Sequence, residues 1–161
     1  MRSKTIILVI LIVLVLTGCK EEKKEYMPFY NPMHTDYLQK FGWQAERFAS
    51  ETKYEAKTLQ SYKNVDTIRT EGNIDLAPFF NKEVVETGYV LKEKTDLYNQ
   101  IVAYILESEG KVIGGYLEFN HEVLQPDGVI EVHPGQTTPM FDANDSNKQF
   151  VIGRIIKPDS K

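Results

Sequence analysis

Cysteine is almost missing from this 161-residue chain: Cys19 is the only one. A chain with no second thiol forms no internal disulfide, so packing alone must hold its fold. Histidine is scarce too, and His34, His121 and His133 match no zinc spacing, which leaves them as solvated or hydrogen-bonding side chains. No Gly-x-Ser-x-Gly elbow and no glycine-rich phosphate loop occurs; Gly114-Gly115 lies mid-strand, where glycines mark a bulge or a close backbone approach. There is no surplus of positive charge, with 19 Lys and Arg against 23 Asp and Glu, which argues against nucleic acid and anionic headgroups as electrostatic partners. These absences nominate no catalytic residue, no metal and no cofactor.

What is present begins at the N-terminus. Arg2 and Lys4 precede an unbroken apolar run from Ile6 to Leu16, closed by Leu16-Thr17-Gly18-Cys19. Eleven helical residues fall well short of the roughly 30 Å hydrocarbon core, so the run reads as a removable secretory leader rather than a spanning helix. Leu16, Thr17 and Gly18 ahead of the sole cysteine resemble the lipobox of bacterial lipoproteins. That resemblance implies cleavage after residue 18 and a diacylglyceryl group on Cys19, with palmitate among its acyl chains. Two acyl chains anchor stably where one does not. The expected address is the extracytoplasmic face of the cell membrane, or the outer membrane in a two-membrane bacterium, because Lys20 replaces the aspartate that retains lipoproteins in the inner one. Removing residues 1–18 leaves 143 residues and, with Arg2 and Lys4 gone, moves the formal charge from −4 to −6. Residues 19–31 form a linker whose Lys20-Glu21-Glu22-Lys23-Lys24-Glu25 is charge-balanced and carries no polybasic clamp.

The expected folded domain spans 32–120. Asn31 as N-cap, Pro32 at the first helical position, and Met33, Tyr37, Leu38 and Phe41 on one face predict a helix ended by Gly42, with Trp43 folding back on Leu38. Leu59, Tyr62, Val65 and Ile68 suit a second helix between Glu51 and Glu71, closed by Gly72. The period then changes to two, predicting strands over about 87–93, 99–107 and 111–120 as an antiparallel meander. A two-residue loop at Glu109-Gly110 would pair Val102 with Leu117, Tyr104 with Gly115 and Leu106 with Ile113, making one apolar face for the helices and placing Tyr104 across Gly115. The predicted fold is therefore α+β: two helices packed on one face of a three- to four-stranded antiparallel meander. An irregular, turn-rich extension over 121–161 follows, with short strands at Val129 to Val132 and Phe150 to Ile156.

The segment Met33-His34-Thr35-Asp36-Tyr37-Leu38-Gln39-Lys40-Phe41-Gly42-Trp43 resembles the opening of the domain of unknown function 4830 family, small proteins found largely in Gram-positive bacteria and often behind a lipobox. Gly72-Asn73-Ile74-Asp75-Leu76 ahead of Val84 to Leu91, and Gly110-Lys111-Val112-Ile113-Gly114-Gly115, fit the same resemblance, which covers residues 33 to about 120. The family has no activity or catalytic residues to transfer; the resemblance implies a compact domain at an envelope address, on the surface of a single-membrane cell.

For function, the leading expectation is a lipid-anchored binding or interaction module of the cell envelope, tethered through Cys19, with an envelope protein or a glycan as partner and no nucleic acid. Its candidate interaction face is the mixed sheet face at Ile101, Ala103, Ile105 and Tyr116, unless the C-terminal extension covers it. The aromatic cluster Tyr26, Phe29 and Tyr30 would dock the N-terminal arm onto the domain. A second expectation, from a different class, is a small envelope enzyme or metal-dependent hydrolase using Glu107 and Glu118, taken to share a sheet face, or His121 and His133. A structural spacer is the third.

Overall fold

A computed structural model describes residues 30–158; residues 1–18, Cys19, Tyr26 and Phe29 lie outside that range. Helix α1, Pro32–Lys40, starts and stops where local chemistry dictates. The Asn31 side chain accepts from the Met33 N–H at 3.0 Å, and Pro32 needs no donor there. At the far end the Gly42 N–H donates to the Gln39 carbonyl and the Trp43 N–H to the Leu38 carbonyl, with Gly42 at φ +75°. That is the paired hydrogen-bond stop that turns the chain through a left-handed glycine.

Beyond α1 the fold departs from the expected one. Of the described residues 43% are strand and 22% helix, and the body is a five-stranded antiparallel sheet rather than two helices on a shorter meander. Its strands are β1 (Ala45–Tyr54), β2 (Val84–Leu91), β4 (Gln100–Ser108), β5 (Lys111–Leu124) and β6 (Ile130–Pro139), in the order β1-β2-β4-β5-β6. A two-residue strand β3 (Lys94–Thr95) pairs with β7 (Ile155–Ile156) in a separate small ribbon. Helix α2 covers only Asn64–Thr70 and helix α3 covers Ser146–Ile152.

Each departure has a local cause. Strand β1 is a sheet edge, and register shifts between Ala45 and Arg47 and between Phe48 and Ser50 break its alternation, so no period of two is legible in Glu46-Arg47-Phe48-Ala49-Ser50-Glu51. The expected helix over 51–71 divides into the end of β1, a 3₁₀ turn at Leu59–Ser61 and α2. Leu59, Val65 and Ile68 are buried as their spacing suggests, while Tyr62 stays 40% exposed. The boundary at residue 120 falls inside β5, and β6 makes the following residues part of the sheet. Phe150 to Ile156 does not form one strand: Asp145 caps α3 by accepting from the Asn147 N–H, and only Ile155–Ile156 is extended.

The β4–β5 hairpin decides which residues face which way. Glu109 and Gly110, both at positive φ, form the predicted two-residue turn. Glu107 lies opposite Val112, but Leu106 lies opposite Gly114, leaving Ile113 as an unpaired bulge. Every pair beyond it slips by one: Tyr104 faces Tyr116, Ala103 faces Leu117 and Ile101 faces Phe119. A slip of one residue moves a strand's whole set of side chains to the opposite face. Ile101, Ala103, Ile105, Leu117 and Phe119 thus share the first face, where they pack with Tyr89, Leu38, Trp43 and Phe141. The second face carries Val84, Leu106 and Tyr116, covered near the β4–β5 turn by Leu59, Val65, Ile68, Ile74 and Leu76.

The paired glycines follow from this double coverage. A Cβ on Gly114 would stand 3.0 Å from Ile74 on the second face, and one on Gly115 would stand 2.8 Å from the Tyr37 ring on the first. Tyr37, not Tyr104, occupies the space above Gly115. Tyr104 instead lies over Gly88, where a Cβ would come within 2.9 Å of its ring.

Candidate ligand groove on the open sheet face

The covering elements on the second face stop short. Across the rest of that face, successive rows of cross-strand partners run Thr52–Glu86, Ser50–Gly88–Tyr104–Tyr116, Arg47–Val90–Val102–Glu118 and Gln100–Asn120–Pro134. Ser50 and Tyr104 with the last two rows, together with Glu122, Ile130 and Val132, floor a cavity of about 890 Å³. A second cavity of about 370 Å³ adjoins it, lined by Thr52, Asn64, Thr67, Glu86 and Thr137 and sharing Ser50, Tyr104 and Glu118. Together they form one groove across all five strands.

Its inner end is a tyrosine and glutamate cluster. Tyr104 and Tyr116 stack with centroids 4.9 Å apart and planes 15° from parallel. The Tyr54 hydroxyl donates to Glu86 Oε2 at 3.2 Å and accepts from Asn64 Nδ2 at 2.6 Å. Burial raises the Glu86 carboxyl above its ordinary value, an effect partly offset by the Tyr54 and Tyr116 hydroxyls and reinforced by the charge of Glu118. Burial also raises all three tyrosines, with the neighbouring carboxylates pushing the same way, so the phenols stay protonated and serve as donors.

The outer end holds two nearly buried amides facing each other, Gln100 and Asn120. Asn120 is 3% exposed, and its Oδ1 has no hydrogen-bond partner among the described residues. A buried carbonyl left without a donor costs on the order of 1–3 kcal/mol, which a ligand or an ordered water would recover. Arg47 lies 3.6 Å from Glu122 at the rim.

The residues singled out in the sequence fall elsewhere. Ile101, Ala103 and Ile105 are fully buried in the first-face core beneath α1 and the chain after β6, which contributes Phe141, Ala143 and Ile152. The extension does cover that face, so these three cannot serve as an interaction surface; Tyr116 projects from the opposite face. Glu107 and Glu118, expected on one face, are separated by the bulge. Glu107 Oε2 lies 2.7 Å from Nε2 of His34, whose Nδ1 is 2.9 Å from the Tyr89 hydroxyl, so a buried histidine pins α1 to the sheet. His121 and His133 lie opposite each other on β5 and β6, exposed, with Glu131 3.6 Å from His133. Among the described residues no three His, Cys, Asp or Glu side chains converge as a metal site. Tyr30, the described member of the aromatic cluster, packs edge-on against Tyr89 at 5.7 Å. Cys19 and the residues preceding it, Leu16, Thr17 and Gly18, lie outside the described residues.

Sequence reasoning missed Glu86, Gln100, Asn120, Arg47 and Ser50. A signal existed for three of them: a charge or an amide inside strands otherwise made of Val, Ile, Leu and Tyr is a polar group that the sheet must bury. No family model, curated protein or solved structure matches this chain.

Proposed function

We propose that this chain is a lipid-anchored, extracytoplasmic binding module of the bacterial cell envelope, held to the membrane through Cys19 and presenting the open-face groove to an envelope component. The lipobox-like Leu16-Thr17-Gly18-Cys19 supports the anchor. No helix among the described residues is long and apolar enough to cross a membrane. The observation that carries the binding reading is the groove itself. A sheet whose other face is packed beneath α1 and the chain after β6 leaves part of this one uncovered, and lines it with polar side chains that are almost buried and, at Asn120, without a partner among the described residues. The residues considered for hydrolysis lie in three separate places: Glu107 on His34, Glu118 in the groove, and the exposed pair His121 and His133.

The test has two arms. Metabolic palmitate should label the native chain and not Cys19→Ala, and the variant should leave the membrane fraction. Separately, with the lipidated chain held in detergent micelles and mixed with lipid-extracted envelopes, so that the anchor cannot retain it, Val132→Trp, at a 44% exposed position on the groove rim, should fill the cavity and abolish sedimentation with the envelopes while its melting profile stays native. Equal envelope retention of Val132→Trp and wild type would overturn the groove as the binding site.

A further inference from the structure

We propose that the groove takes a neutral oligosaccharide, laid across the strands from the Glu86 end to the Pro134 end, with one sugar ring on Tyr104 and a ring hydroxyl donating to Asn120. This deepens the binding reading above and rests on it.

Charge narrows the class first. Three carboxylates, Glu86, Glu118 and Glu122, line the groove against a single cation, Arg47, which already lies beside Glu122. Polyanionic chains, whether phosphate or uronate, meet repulsion and no free guanidinium. Hydrogen-bonding polarity narrows it further. The buried groove group without a donor among the described residues is an acceptor, the Asn120 carbonyl, and the carboxylates, Glu86 already paired with Tyr54 and Glu122 with Arg47, can accept further bonds but donate none, so the ligand must bring O–H or N–H groups. Vicinal hydroxyls supply these in the paired arrangement that planar amide and carboxylate groups accept.

The floor fits the other property of a sugar, the apolar C–H side of its ring. The Tyr104 ring is held by stacking on Tyr116 and by its seat over Gly88, and is partly exposed. Val102 and Val132 continue that apolar strip. A flat, immobile aromatic surface edged by hydrogen-bonding groups binds with little loss of side-chain entropy.

Topology disfavours a peptide. An extended peptide binds by adding a strand to a sheet edge, where main-chain groups are free. The groove lies on the sheet face, where the main chains of β2, β4 and β5 are paired on both sides. Only side chains can read a ligand there. A volume of about 890 Å³, within the usual roughly 300–1,000 Å³ of ligand clefts, accommodates a short run of sugar units.

The full lipidated chain, held in micelles of a detergent without a sugar headgroup, is tested by sedimentation with isolated envelopes and by calorimetry. The calorimetric probe is the neutral oligosaccharide fraction released from those envelopes by glycoside hydrolases. Retention should survive exhaustive protease digestion and lipid extraction of the envelopes, be competed by the neutral fraction, and change little with salt. Tyr104→Ala should weaken calorimetric binding about tenfold and Val132→Trp should abolish it, each variant keeping a native melting profile. Retention lost after protease digestion, or competed by anionic rather than neutral fragments, overturns the oligosaccharide while leaving the groove as a binding site. Retention untouched by Val132→Trp overturns both.

Discussion

Ile105 tests the hairpin register, because the bulge at Ile113 decides which residues of β5 share its face. With the slip, Ile105 is fully buried in the core under α1; without it, the residue would lie on the mixed face first expected to be a surface. Replacing it with Lys removes about 1.5–3 kcal/mol of apolar burial and places an unpaired ammonium in the core at a cost of several kcal/mol more. The total is comparable with the roughly 5–15 kcal/mol that holds a domain of this size. Ile105→Lys should therefore leave the chain unfolded in water, whereas Ile105→Val should cost about 1 kcal/mol and Ile105→Ala about 2–5 kcal/mol. Val132→Lys, on the exposed rim of the other face, should stay within about 0.5 kcal/mol of wild type. Urea titrations followed by far-ultraviolet circular dichroism measure all four. A cooperative transition in Ile105→Lys at the wild-type midpoint would refute the register and with it the placement of the groove.

Gly88→Ala should destabilise by about 1–3 kcal/mol and weaken envelope retention, since the new methyl group would stand 2.8 Å from Ser50 Oγ and 2.9 Å from the Tyr104 ring; unchanged melting would show that the ring is not seated there. Trp43→Phe removes the Nε1–H bond to the Phe141 carbonyl at 2.8 Å and should cost about 1–3 kcal/mol, read as a lower urea midpoint. Burial raises Glu86, so the folded chain holds that proton more tightly than the unfolded chain. Its contribution to stability is then greatest below the ordinary glutamate value of about 4.3 and falls as pH rises through the raised value. Glu86→Gln should accordingly gain on wild type between about pH 4 and pH 7 in parallel urea titrations. A difference that stays constant or runs the other way would contradict this account.

Local chemistry was readable wherever a residue's role depends on its near neighbours in sequence. Asn31, Pro32 and Gly42 specify both ends of α1 through bonds spanning at most five residues, and Glu109-Gly110 specifies the tight turn. The strand character of β2, β4 and most of β5 was visible as well. Strand β1 was not, since an edge strand with two register shifts keeps no alternation to detect. The groove was invisible for a related reason: Ser50, Glu86, Tyr104, Glu118 and Asn120 come from four strands, and their convergence depends on cross-strand register.

The sequence by itself determined the first helix and its stops, the hairpin turn and the alternation of the central strands, because these rest on short-range hydrogen bonds and on side-chain period. Only the tertiary structure decided that one extra residue in β5 turns Ile101, Ala103 and Ile105 into core and gathers Tyr104, Tyr116 and Glu118 on the open side. A bulge costs little locally, and what selects it is the packing it permits between residues far apart in the chain.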